Sequence, residues 1–88
     1  MNIAIVSDIH SNVEAFKAVM KKIEKLNVRE VYCAGDIVGY NASPNECIRI
    51  VRNYNIKSVM GNHDLCCATL NGIELFNPCA SESARWTY

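Results

Sequence analysis

"IAIVSDIHSN", residues 3–12, is the stretch on which the fold turns. Four apolar residues, Ile3 to Val6, run without a polar break into Ser7, Asp8 and His10. An apolar run of this length that ends in turn formers predicts a strand buried on both faces, as in a parallel sheet. Where that strand stops, the chain places a carboxylate and an imidazole, and the same anomaly recurs twice further on.

Moving outward, Ser11-Asn12-Val13-Glu14 reads as a capping box with Ser11 as N-cap. Phe16, Val19, Met20, Ile23 and Leu26 then repeat at helical spacing while Lys17, Lys21, Lys22 and Glu24 face away, which predicts an amphipathic helix over about 12–26. A second strand, Val31 to Ala34, ends at Gly35-Asp36. Ser43-Pro44-Asn45-Glu46 is another capping box with proline at its favoured first helical position, and Cys47, Ile48, Val51 and Tyr54 supply that helix's inner face. A third, weaker strand from Ile56 to Met60 ends at Gly61-Asn62-His63-Asp64. The order β-α-β-α-β favours a parallel sheet with right-handed crossovers, an α/β fold.

Composition limits what such a chain can do. At 88 residues it is one domain or part of one, with a modest core. Half the residues are apolar and a fifth charged, an ordinary globular balance. Nine basic and nine acidic residues cancel, so there is no evident patch for nucleic acid and no attraction to a membrane surface. Nothing approaches the ~20 apolar residues of a membrane span, and the opening run has no basic leader before it. Five cysteines, an odd number without a Cys-x-x-Cys pair, read as reduced thiols in a cytoplasmic protein.

In an open parallel sheet the loops after the carboxyl ends of the strands form one rim, where ligands bind. Asp8 and His10 follow the first strand, Asp36 the second, and Asn62, His63 and Asp64 the third, at intervals of about one βα unit of ~30 residues. Taken singly, each is weak: an aspartate after a strand is often a turn former, and a lone histidine is often structural. Together they gather carboxylates on one rim with no Lys or Arg in these loops to neutralise them, and a divalent cation would do so. Mixed oxygen and imidazole donors suit manganese, iron or zinc better than calcium. Gly35 and Gly61 precede polar residues at strand ends, where backbone must approach closely or take positive φ.

Asp8-x-His10, Gly35-Asp36-x-x-Gly39 and Gly61-Asn62-His63-Asp64, in that order and each after a strand, resemble the first three signature blocks of the calcineurin-like metallophosphoesterases. "GDIVGYNASPNECI" is further similar to the small prokaryotic branch of that superfamily. The resemblance implies the parallel-sheet half of a four-layer α/β sandwich, and a phosphoesterase or phosphodiesterase that uses two divalent ions (manganese, iron, zinc or nickel) to activate hydroxide for attack on a small phosphate ester. It implies Asp8 and His10 as ligands of the first ion, Asp36 as the bridge, Asn62 as a ligand of the second, and His63 as a catalytic group beside the substrate phosphate. Many members carry an acidic residue three places after the bridging aspartate to orient that histidine; here the position is Gly39.

The family completes its sites with three later histidines, whereas this chain has two histidines in all, His10 and His63. The expectation is therefore at most one ion bound by these 88 residues alone. The chain reads as the amino-terminal part (residues 1–88) of a single metallophosphoesterase domain, probed further by a last helix that starts at Asn77-Pro78 and leaves Trp86 little used. Such a piece should expose a sheet edge and self-associate or pair with a complementing carboxy-terminal segment. The alternative is a non-catalytic remnant that binds one ion or none and serves as an interaction module. Haloacid-dehalogenase-like chemistry fits worse, since His10 stands where Asp-x-Asp needs an aspartate, and the glycines form no P-loop.

Overall fold

A computed structural model describes residues 2–88. The element order is β1 (Ile3–Val6), α1 (Val13–Lys25), β2 (Glu30–Cys33), α2 (Pro44–Asn53), β3 (Lys57–Ser58), α3 (Asn62–Thr69), a 3₁₀ turn (Ile73–Leu75) and α4 (Pro78–Thr87). The three strands form one parallel sheet in the order β1-β2-β3. The α/β alternation read from the sequence is therefore present, with two further helices after the third strand.

The register decides which face carries the core. Ala4 pairs with Val31 and Val6 with Cys33, and these side chains meet α1 and α2. Phe16, Met20 and Ile23 from α1, Cys47 from α2, and Ile9 and Ile56 from the flanking loops complete that cluster. Val19 and Leu26, expected on the inner stripe of α1, stay exposed, and so does Tyr54 at the end of α2, whose hydroxyl donates to Glu24. A second, smaller cluster of Val38, Cys66, Cys67 and Ala84 holds α3 and α4 against the loop after β2. Ala80 and Ala84 form the buried stripe of α4, and Asn77 caps it by accepting the Ala80 N–H at 2.9 Å, as the sequence predicts.

Four local expectations are corrected. First, β1 is covered on one face only: Ile3 and Ile5 are 51% and 69% exposed, because no element of these residues packs on the outer side of the sheet. Second, Asn12 rather than Ser11 caps α1, its Oδ1 accepting the Ala15 N–H at 3.1 Å. Ser11 is instead held in a left-handed conformation by its N–H to Ile37 O (2.8 Å) and by Ser43 N–H to its carbonyl (3.1 Å). Third, Ser43 is the N-cap of α2 but makes no side-chain cap bond. Fourth, β3 is two residues long; Val59 beyond it keeps one bond to β2, its N–H donating to Cys33 O at 3.1 Å, and Val59 and Met60 both have exposed side chains.

The outer sheet face thus carries Ile3, Ile5 and Val59 with the half-buried ring of Tyr32. Apolar surface of this kind is rare on a stable monomer. The isolated chain is expected to sediment as a dimer or larger species, and Ile5→Lys to shift it toward monomer with unchanged helix content. A compact monomer for the parent at micromolar concentration would contradict this.

Candidate metal centre

Asp8, His10 and Asp36 come together at the carboxyl ends of β1 and β2. Each offers one ligand atom, and the three atoms lie within 4.8 Å of one another. The loop after β1 runs alongside the loop after β2: Asp8 N–H donates to Gly35 O (3.1 Å), His10 N–H to Asp36 O (3.0 Å) and Ser11 N–H to Ile37 O (2.8 Å). This ladder holds Asp8, His10 and Asp36 at φ of 55°, 49° and 58°. Left-handed backbone costs a non-glycine residue on the order of 1 kcal/mol, and such strain gathers where side chains must be aimed. Among the described residues, five of the eight non-glycine residues with positive φ (Asp8, His10, Ser11, Asp36 and Tyr40) lie in these two loops.

The donor set fits a cation. His10 Nδ1 lies 3.2 Å from the Val38 carbonyl, which can only accept, so Nδ1 carries a proton. In the neutral ring Nε2 is then a bare lone pair, yet it faces Asp8 Oδ1 at 3.3 Å. Two acceptors at that distance repel unless a proton or a positive ion sits between them. A ring nitrogen turned to a backbone carbonyl, with its partner left free, is also how ligating histidines are oriented. The Ser7 hydroxyl, donating to Asp8 Oδ2 at 2.6 Å, and then His10 hold the exposed Asp8 carboxyl below its ordinary value, so it is ionised at neutral pH.

The third block is not a loop. Asn62, His63 and Asp64 open α3, with Gly61 as N-cap, a helix that the sequence reading missed. Asp64 is its organising residue. Oδ1 accepts from Ile37 N (2.8 Å) and Val38 N (3.1 Å), and Oδ2 from Asp36 N (2.8 Å) and Gly61 N (2.9 Å). One carboxylate thus latches the loop after β2 to the start of α3. Asp36 returns the contact, its Oδ1 accepting the His63 N–H at 2.9 Å. The two loops press so closely that a Cβ on Gly61 would overlap the Asp36 carboxylate and stand 2.5 Å from its amide nitrogen. One on Gly35 (φ 106°) would stand 2.8 Å from Gly61 N. The glycines are required by this approach. Asn62, exposed at the first position of α3, lies in sequence between Gly61 and His63, both of which touch Asp36.

His63 is buried beside the cluster. Its ring centroid lies 4.7 Å from those of His10 and Tyr40 and 4.5 Å from Phe76. Nδ1 is buried without a hydrogen-bond partner. It lies over Gly39, where a Cβ would stand 2.8 Å from it, so this packing leaves no room for an acidic side chain there. Burial, then the His10 charge, pull the His63 imidazolium below the ordinary histidine value, against the opposing charges of Asp36, Asp64 and Asp8. At neutral pH the ring is mostly uncharged.

With this geometry the relationship to known proteins is decisive. Residues 1–87 match the family model described as the calcineurin-like phosphoesterase superfamily domain. The chain belongs to that superfamily. An uncharacterized protein of Methanocaldococcus jannaschii is 44% identical over 85 residues, covering 97% of this phosphoesterase-family chain and 35% of the relative. A symmetrical bis(5'-nucleosyl)-tetraphosphatase of Haemophilus ducreyi is 37% identical over 78 residues, covering 84% and 29%. The crystal structure of a metallophosphoesterase from Sphaerobacter thermophilus superposes with a TM-score of 0.75 at 37% identity, over 99% of this chain and 34% of that one. The chain spans about a third of the length of the curated relatives it matches. Among the described residues, no helix is long and apolar enough to cross a membrane.

Proposed function

We propose that these residues form the amino-terminal part of a metal-dependent phosphoesterase domain whose substrate is a small phosphate ester. The observation that carries the reading is the convergence of Asp8, His10 and Asp36 within 4.8 Å, with His10 Nε2 turned toward Asp8 Oδ1 at 3.3 Å. Asp8, His10 and Asp36 would hold one divalent ion, and Asp36 with Asn62 would contribute to a second. What such ions supply when bound is Lewis acidity toward phosphoryl oxygens and toward water.

The protein's own groups do the rest. The Val38 carbonyl fixes the His10 tautomer. Asp64 holds the Asp36 loop rigid against α3. The buried His63 ring, wedged among His10, Tyr40 and Phe76, is positioned to contact a phosphoryl oxygen or leaving group beside the cluster. Its neutral state at rest suits it to donate a hydrogen bond, and the scarcer imidazolium to give up a proton readily. That two ligands alone remain for a second ion supports the alternative reading, in which these 88 residues bind one ion without turnover.

Calorimetry with manganese is the direct test, with an expected stoichiometry near one per chain. Two tight equivalents would contradict the ligand count, and no binding would contradict the site. Turnover of an aryl phosphodiester is expected to be negligible for the chain alone. It should appear on fusion to the remaining portion of the Methanocaldococcus jannaschii relative, and then fall by roughly 10²–10⁴ with His63→Ala.

A further inference from the structure

His63 has its ring set without a hydrogen bond. The residue is 8% exposed, and its Nδ1 is buried with no partner. Gly39 lies against that edge, where a Cβ would stand 2.8 Å from Nδ1. An acceptor at one nitrogen commonly fixes both the plane and the tautomer of an imidazole, as the Val38 carbonyl does for His10. Among the described residues nothing of that kind serves His63 Nδ1.

Stacking takes its place. The Tyr40 ring lies 4.7 Å from that of His63 with the planes 37° apart, and the Phe76 ring 4.5 Å away at 33°. His10 meets the same ring edge-on, at 77°. The last side-chain torsion of histidine is broad and roughly two-fold, so an unconstrained ring turns over and exchanges its edges. A ring stacked on two flat neighbours cannot turn without driving its edges into them, and such pairs attract beyond the area they bury.

Both neighbours are tied to the last helix. Phe76 precedes Asn77, the cap of α4, and packs on the cluster of Val38, Cys66, Cys67 and Ala84. The Ser81 hydroxyl of α4 donates to Ile73 O (3.2 Å), fixing the turn that leads to Phe76. The Tyr40 N–H donates to the Ser83 hydroxyl, so α4 reaches back to the loop after β2.

We propose that Tyr40 and Phe76 are positioning residues that fix the plane and tautomer of His63, and that α4 holds them in place. A proton on Nδ1 would be buried unbonded, so the ring keeps it on Nε2, the nitrogen left to meet a phosphoryl oxygen or leaving group. The role rests on His63 lying beside the phosphate, as in the hydrolase reading. It gives α4, which contributes nothing to the ligand cluster, a function at the site.

His10 and His63 are the two histidines of the chain, so long-range proton–nitrogen spectra report on both rings with little overlap. At a slightly alkaline pH, where histidine is uncharged, the metal-free chain is expected to show His63 as one tautomer with its proton on Nε2. Tyr40→Leu, at a half-exposed position, and Phe76→Leu should average its two nitrogens. Tyr40→Phe, which returns the flat face, should restore the parent pattern. Ser83→Ala, which removes the anchor of Tyr40 and leaves both rings, should move the spectrum toward that of Tyr40→Leu even if Phe76→Leu fails to fold. In the fusion to the remaining portion of the Methanocaldococcus jannaschii relative, Tyr40→Leu should lower kcat on an aryl phosphodiester roughly tenfold with KM little changed, and Tyr40→Phe should recover it. A parent ring that already averages both tautomers, a Tyr40→Leu ring as ordered as the parent's, or an unchanged kcat in Tyr40→Leu would overturn the role. The expected spectra without turnover from the fused parent would uphold the positioning and defeat the hydrolase reading alone.

Discussion

Asp64→Ala is expected to cost about 3–4 kcal/mol of folding stability, the largest effect of any single side chain outside the apolar core. Four backbone N–H groups, from Asp36, Ile37, Val38 and Gly61, converge on its two oxygens at 2.8–3.1 Å. Hydrogen bonds to a charged acceptor contribute ~1.5–3 kcal/mol each, and removing the acceptor strands partly buried donors. The four share one anchor, so their losses do not add. Against a total of ~5–15 kcal/mol for a small domain, most of the margin would go. Asp64→Asn keeps one accepting oxygen and hence at most one of the two pairs of bonds, so about half the loss is expected. Urea unfolding at constant slope would measure both. An alanine variant within ~0.5 kcal/mol of the parent would show that the latch is dispensable.

The importance of Asp64 was not legible in the sequence, although its position was. Adjacent to His63, it looked like an accessory to the rim, and nothing in residue spacing says that a carboxylate will turn back onto amides of a loop 26 to 28 residues away. The same gap hid α3. Its buried side is His63, Cys66 and Cys67, which gives no aliphatic stripe to find. The available signal was an acid three places after Gly61, the position from which Asp64 accepts the Gly61 N–H.

The first two strands and the first two helices were legible because each turns apolar residues to the core, as Phe16, Met20 and Ile23 do in α1. The rim was legible for a related reason. Asp8, His10 and Asp36 interrupt apolar runs, and a parallel sheet gathers whatever follows its strands. What failed was the reading of cover: Ile3 and Ile5 belong to a run that looks doubly buried, yet burial of a second face depends on elements outside these residues. The capping choice at Ser11 failed because tertiary bonds to Ile37 and Ser43 outweigh a local one.

Asp36 joins the ligand cluster to the fold, and two substitutions separate those roles. Asp36→Asn removes the charge but keeps an oxygen able to accept the His63 N–H, and asparagine tolerates the left-handed φ of 58°. Its unfolding free energy is expected to stay within ~1 kcal/mol of the parent. Manganese affinity, which needs the carboxylate beside Asp8 and His10, should fall by at least ~10²-fold, the upper end of what loss of a mere orienting partner does. Asp36→Ala should lose the affinity and the stability together, since the His63 amide is then left without its acceptor and a β-carbon alone must hold left-handed backbone. Calorimetry and urea unfolding on the same two proteins give the comparison. Parent-like manganese binding in Asp36→Asn would remove Asp36 from the ligand set. Parent-like stability in Asp36→Ala would show instead that α3 is seated by Asp64 alone.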